Sequence, residues 1–387
     1  MERLWTKSFI LMTVGTLFLF NAFYMLYPTL PLFIKQLGGN EAQVGLSMGV
    51  FMLTSVLVRP IVGGLLDRYG RRVFIVAGLL LFVAAMYLYN WVGAIVTLMG
   101  LRVLHGLSWA VSSTAINTAV TDMIPAARRG EGMGWFSTSM TLAMAFGPMV
   151  GIWIIQDFSY SVLFYLAVML SVAALVLTFG AKMPFRPQSG KQKIELFEKS
   201  ILPISASVFL MFFAYGGITT FIPLFADSIR VNSGVFFLAF AGTLALSRPV
   251  SGKLADRYGE VAVIVPALVI TILALLSLSL SSGLVGVLIS AILYGIGFGS
   301  AQPALQSATI RLSHPERKGI ANASLATAND LGIGLGAIIL GWVSQYTSYS
   351  FLFVVSAVSV TLSILVFVYL VRHSLKRNHT TEIDRTM

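Results

Sequence analysis

The chain is 387 residues long, 57% hydrophobic and only 11% charged, whereas soluble domains carry roughly 25% charged residues. A water-soluble globular protein is therefore excluded. The formal charge of +11 is scattered over short loops, which argues against a nucleic-acid surface, and the absence of cysteine excludes disulfides and thiol chemistry.

In chain order, uncharged runs cover residues 8–34, 73–101, 132–156, 158–181, 201–226, 261–310 and 331–371. A run of about 20 apolar residues crosses a bilayer core. The longest runs are cut by polar or turn-forming breaks at Asn90-Trp91, Ser281-Ser282-Gly283 and Gln345 to Ser348. Twelve helices are expected, beginning near residues 8, 42, 73, 93, 130, 158, 200, 232, 261, 284, 319 and 349. The first run is long and lacks a small-residue cleavage site, so it reads as a membrane helix rather than a signal peptide.

Residues 181–200 form the longest polar segment between helices and mix Pro, Gly and charge, as a linker does. The expected domains are a six-helix bundle over 1–181, a cytoplasmic linker over 182–199, and a second six-helix bundle over 200–387 that ends in a short basic tail. Of the 26 Lys and Arg, only Lys35 and Arg230 fall on the opposite side, with Arg59, Arg102 and Arg248 inside helices. That bias puts both termini in the cytoplasm.

The two halves repeat each other. Arg59-Pro60, Gly63, Leu65 and Asp67-Arg68-Tyr69-Gly70 recur 189 positions later as Arg248-Pro249, Gly252, Leu254 and Asp256-Arg257-Tyr258-Gly259. The same offset carries Gly106 to Gly295, Gly130 to Gly319 and Gly147 to Gly336. Internal duplication is how many secondary transporters are built, with the binding site near the bilayer midplane.

Gly63-x-x-x-Asp67-Arg68-x-Gly70-Arg71-Arg72, between helices two and three, resembles the signature loop of the major facilitator superfamily. The resemblance extends over nearly the whole chain. It implies an all-α integral membrane protein of twelve transmembrane helices in two pseudo-symmetric bundles. It also implies that this cluster, with Asp122 as acidic partner of the loop arginine, shuts the cytoplasmic side of the outward-facing state. Physically, Gly63 permits close helix approach, Gly70 a tight turn, Asp67 a helix cap, and Arg71 a carboxylate pair. The second copy has Glu260 and Val261 where the first has two arginines, so a weaker latch is expected there from Asp256, Arg257 and Gly259.

Leu98-x-x-x-Arg102-x-x-His105-Gly106 is similar to the family's second motif, whose arginine is linked to proton coupling; His105 stands where glutamine is commoner. An arginine this deep is a functional candidate, and a histidine can switch charge near neutral pH. Ala143-x-x-x-Gly147-Pro148-x-x-Gly151 resembles the helix-five motif of the antiporter branch, the drug exporters, although Ala143 and Ile152 replace two of its glycines. Asp330 lies about 16 Å along helix eleven, near mid-membrane, where a carboxylate can carry a proton. The fold implied by the resemblance sets helix eleven against helix two, so Arg59 is the expected partner, with Arg102 second. Arg248 reads instead as a side chain snorkelling to the inner surface.

In the implied fold, helices one, four, seven and ten line the cavity. Asn21, Tyr24, Tyr27, Trp109, Asn117, Gln302 and Gln306 are the candidates there. Aromatic and amide groups suit an amphiphilic small molecule. Helix one has no carboxylate and helix seven none deep within it, which argues against a strong preference for cations. The expected function is export of a small amphiphile, a drug or metabolite, in exchange for protons by alternating access. A proton-coupled nutrient importer is the alternative. An enzyme or receptor is disfavoured, because clustered nucleophiles, metal ligands and a sizeable soluble domain are missing. The proton gradient is the energy source, with no cofactor and no metal. The expected partners are substrate, protons and the lipid bilayer, without nucleic acid, and the expected state is a monomer.

Overall fold

A run of 20 or more apolar residues in hydrocarbon must satisfy its own backbone, and a helix does so within one segment. The computed structural model describes residues 4–125, 128–183, 199–313, 318–372 and 375. Its twelve long helices are all apolar and long enough to cross a membrane, and no strand occurs among the described residues. They are α1 (Lys7–Gln36), α2 (Glu41–Tyr69), α3 (Arg71–Leu88), α4 (Ile95–Met123), α5 (Arg129–Asp157), α6 (Tyr160–Phe179), α7 (Leu202–Ser228), α8 (Ser233–Tyr258), α9 (Glu260–Ser279), α10 (Leu284–Leu312), α11 (Lys318–Tyr346) and α12 (Tyr349–Val366). Each begins within two residues of its expected start. Polar caps set several of these starts: Thr6 accepts from Phe9 N, Asn40 forms a reciprocal capping box with Gln43, and Ser159 and Ser348 cap α6 and α12.

The chain divides into two units, Met1–Gln43 with Val50–Ile194, and Val44–Gly49 with Glu195–Met387. Most of the linker expected at 182–199 lies outside the described residues. In the first unit α1 packs on α5 and α6, and α3 packs on α4 and α6. In the second, α7 packs on α11 and α12, and α9 packs on α10 and α12. This is the same set of pairings six helices later.

Hydrocarbon gives helices no hydrophobic reason to associate, so close backbone approach and interhelical hydrogen bonds must do it. A Cβ on Gly147 would sit 2.7 Å from Tyr24 Cβ, and one on Gly151 would collide with the carbonyl of Met25, so both glycines of the helix-five motif are seats for α1. Gly336 makes the equivalent seat against Phe213. Gly106 faces Phe51 and Thr54, and Gly295 faces Phe240 and Thr243, every residue shifted by 189. Ser207 and Ser363 exchange hydrogen bonds between α7 and α12.

The repeated joints are each one residue long. Gly70 separates α2 from α3 with φ 88 and ψ 160, and Gly259 separates α8 from α9 with φ 83 and ψ 158. Only glycine adopts that region without strain. Gly70 N donates to Leu66 O and Gly259 N to Ala255 O, so each joint also closes the helix before it. Gly63 differs from its expected role: among the described residues a Cβ there meets nothing within 4 Å, as at its repeat Gly252. The close approach to α2 is made by Gly106 at Phe51 and Thr54.

Gly70→Ala and Gly259→Ala should each cost about 1–3 kcal/mol, seen as a lower melting temperature of the purified protein. Gly252→Ala, at an open helical position, should leave it unchanged or raise it slightly.

Candidate functional site

The Gly70 joint gathers four helix ends. Arg71, the first residue of α3, donates from Nε to Asp122 Oδ2 at 2.9 Å and from Nη1 to Leu66 O at 2.9 Å. It thus ties the end of α4 and the last turn of α2 to the start of α3. Arg72 donates to Phe179 O at 3.2 Å, with its guanidinium 4.7 Å from the Phe179 ring centre, which adds the end of α6. Arg68 lies over Tyr69 at 5.2 Å. A cleft of about 120 Å³ opens beside these groups, lined by Tyr69 to Val73, Ala119, Asp122, Met123 and Met183. The side chain of Asp67 lies outside the described set.

The Gly259 joint was expected to be the weaker latch because Glu260 replaces an arginine. The geometry corrects that expectation. Arg311, 189 positions after Asp122, donates from Nη1 to Glu260 Oε2 at 2.9 Å, and Glu260 stands 189 positions after Arg71. The pair is the same with its charges exchanged. Ser307 donates to the other Glu260 oxygen at 3.3 Å. Asp256 is exposed, and Arg257 lies over Tyr258 at 5.2 Å, as Arg68 does over Tyr69.

The exchange alters the electrostatics. A helix favours acids at its start and bases at its end, by about 0.3–1 kcal/mol each. Glu260 opens α9 and Arg311 lies in the last turn of α10, so both charges suit their own helices. Arg71 opens α3 and Asp122 is close to the end of α4, so both oppose theirs. The bond from Arg71 to Leu66 O offsets part of that cost. Exposure is distributed differently in the two pairs: Arg311 and Glu260 are 25% and 11% exposed, Arg71 and Asp122 10% and 43%.

Arg102 and His105 come together on one face of α4. Arg102 is 2% exposed and His105 fully buried. Nη1 of Arg102 lies 3.3 Å from His105 Nδ1 and 3.4 Å from Tyr89 Oη, and its guanidinium stands 4.4 Å from the Phe51 ring centre. An arginine only donates, so Nδ1 is the acceptor in this contact, which assigns the imidazole proton to Nε2, a buried atom with no hydrogen-bond partner among the described residues. Rings of Phe51 and Phe82 close around the histidine at 4.8 and 5.1 Å.

The other predicted residues are dispersed. Arg59, half-buried on α2, donates to Ser55 Oγ at 3.2 Å, and Asp330 is half-buried on α11. Asn21 donates to Leu17 O in its own helix. Tyr24 and Tyr27 lie with ring centres 5.9 Å apart, and Trp109 stacks on Phe23 at 4.0 Å. Asn117 is half-buried and Gln306 exposed. Gln302 accepts from Arg248 Nη2 at 2.9 Å, so Arg248 engages α10 rather than snorkelling. Pro148 sits inside α5 between the two glycine seats. Sequence reasoning missed the exchanged pair and Tyr89. The 189 offset could have found the first. Tyr89 carried no local signal, because it lies in the break after α3.

The family model of the Major Facilitator Superfamily matches residues 12–241 and 231–385. The multidrug resistance protein MdtG of Escherichia coli is 26% identical over 375 residues, 91% of each chain. A homologue of the multi-drug resistance efflux pump PmrA from Lactococcus lactis is 26% identical over 89% of this chain and 90% of that protein. Among solved structures, the nucleoside transporter NupG shares the fold, with a TM-score of 0.74 and 16% identity over 93% of this chain and 98% of that one.

Arg71→Glu should set two carboxylates together and destabilise by about 1–3 kcal/mol, and Arg71→Glu with Asp122→Arg should recover most of the melting temperature. Asp122→Asn should cost at least as much as Glu260→Gln, because the arginine it deprives of a carboxylate, Arg71, is 10% exposed whereas Arg311 is 25% exposed. Absence of recovery in the double variant would show that this pair does not hold α3 to α4.

Proposed function

The chain belongs to the Major Facilitator Superfamily, and on that premise we propose that it exports a small amphiphilic molecule, a drug or metabolite, in exchange for protons by alternating access. It is a multi-pass membrane transporter and not an enzyme, as its family is. The likeness to two multidrug proteins over about nine tenths of the chain carries the export reading. The seating of α1 against Gly147 and Gly151 of the antiporter-like motif supports it. The location proposed is the cell membrane, with both termini in the cytoplasm, a linker over 182–199 and a monomeric working unit without cofactor.

In this reading Arg102, His105, Asp330 and Arg59 handle the proton, with Asp330 as carrier and Arg59 as its partner. The Gly70 joint is the cytoplasmic gate. Asn21, Tyr24, Tyr27, Trp109, Asn117, Gln302 and Gln306 contact the cargo. A buried arginine fits the proton role: a cation in the interior persists only with partners, and those partners are what a passing proton perturbs. Uptake of a polar nutrient is the second reading, favoured only by the likeness to a nucleoside transporter, which speaks for the fold.

Inverted vesicles with an acid interior decide between the two. An amphiphile added outside should collapse the gradient, read by a pH-sensitive dye, and Asp330→Asn should slow that collapse by about a hundredfold or more, the usual scale for losing a proton-transfer group. Equal response of the mutant would remove Asp330 from the proton path. A gradient that responds only to nutrients, with uptake in right-side-out vesicles, would make the protein an importer.

A further inference from the structure

The break at Asn90-Trp91 does more than end a helix. After α3 the chain tightens into a single 3₁₀ turn, Tyr89–Trp91, which carries the Tyr89 ring inward. The ring is 1% exposed and stacks on Phe164 of α6 at 5.3 Å. Its hydroxyl lies 2.9 Å from His105 Nδ1 and 3.4 Å from Arg102 Nη1. Because Nδ1 is an acceptor, the hydroxyl donates to it and accepts from the guanidinium. One oxygen from the turn after α3 therefore closes a triangle with the cation and the imidazole on α4.

The second half shows what packing alone requires at these places. Positions 189 further on hold Leu278, Ala291 and Tyr294. The cation and the tyrosine that follows the third helix are both gone, and α9, α10 and α12 pack as their counterparts do. Tyr294, in the place of His105, is 1% exposed, and its hydroxyl has no hydrogen-bond partner among the described residues. The fold tolerates apolar residues at two of the three positions. The triangle is an addition to one half rather than part of the shared scaffold.

We propose that Tyr89 is the positioning residue for Arg102: its hydroxyl, together with His105, fixes where the buried guanidinium sits, and so sets its part in proton coupling. This rests on the reading of Arg102 given above, and it adds a residue from a different helix. His105 on its own helix and Tyr89 from the turn after α3 are titratable groups within reach of Arg102. Phe51 of α2 faces the guanidinium, Phe23 of α1 lies against His105, and Phe164 of α6 lies against Tyr89. Tyr89→Phe removes one oxygen and keeps the ring stack. His105→Phe removes the acceptor.

The test uses the full-length protein, with Hoechst 33342 as the amphiphilic probe in energised inverted vesicles, followed across a pH series. Tyr89→Phe should melt cooperatively yet transport about tenfold more slowly, the scale of one hydrogen bond to a charged group, with a displaced pH profile. His105→Phe should match it, and the double variant Tyr89→Phe/His105→Phe should be no worse than either. A wild-type rate and pH profile in Tyr89→Phe would overturn the proposal. If the wild-type protein moves no protons with the probe, the cycle of melting temperatures for Tyr89→Phe and Arg102→Met decides. Coupled shifts uphold the positioning role while the export reading loses its support; additive shifts refute the positioning role itself.

Discussion

A segment in hydrocarbon has no water to satisfy its polar groups, and every other feature of this molecule follows from that. Each span is a helix because only a helix bonds its backbone within one segment. Contact between spans then rests on shape. Gly151 seated on the Met25 carbonyl and Gly106 seated on Phe51 let backbones meet closely enough for dispersion to act. Charges concentrate at helix ends, where they meet water and helix dipoles. The few that go deeper arrive with partners, as Arg102 does with Tyr89, His105 and the face of Phe51.

The duplication separates what the fold needs from what one half adds. The glycine seats and the positive-φ joints occur in both halves at the same offset. The ionic pair at the joint also occurs in both, with the charges exchanged. A joint tolerates either polarity because the attraction is symmetric. The helix dipoles are not, and so one polarity makes a settled joint and the other a joint under electrostatic tension. The Tyr89–Arg102–His105 triangle, by contrast, has no counterpart at the positions 189 further on, which hold Leu278, Ala291 and Tyr294.

Much of this was legible before any coordinates. The twelve helix starts follow from uncharged run length and polar breaks, since a membrane leaves few alternatives. The two units follow from the repeat, and the Arg71–Asp122 pair from the resemblance. The contacts of single side chains were less legible. Gly63 has the spacing of a packing glycine, yet among the described residues nothing lies within 4 Å of a Cβ placed there. Arg248 has the depth of a snorkelling arginine, yet Gln302 lies within its reach. Spacing along one helix tells which face a residue occupies but not what the next helix presents to that face.

The sequence by itself determined the class, the number of spans, the duplication and the one-residue glycine joints. These depend on transfer of apolar segments out of water and on local backbone sterics, both of which act within a segment. Only the tertiary structure decided that Glu260 meets Arg311, that Tyr89 turns inward to Arg102, and that the helix-five glycines carry α1. Those contacts join residues 13 to 126 positions apart. Their existence depends on how helices rotate and cross when they pack, and no local pattern encodes that angle.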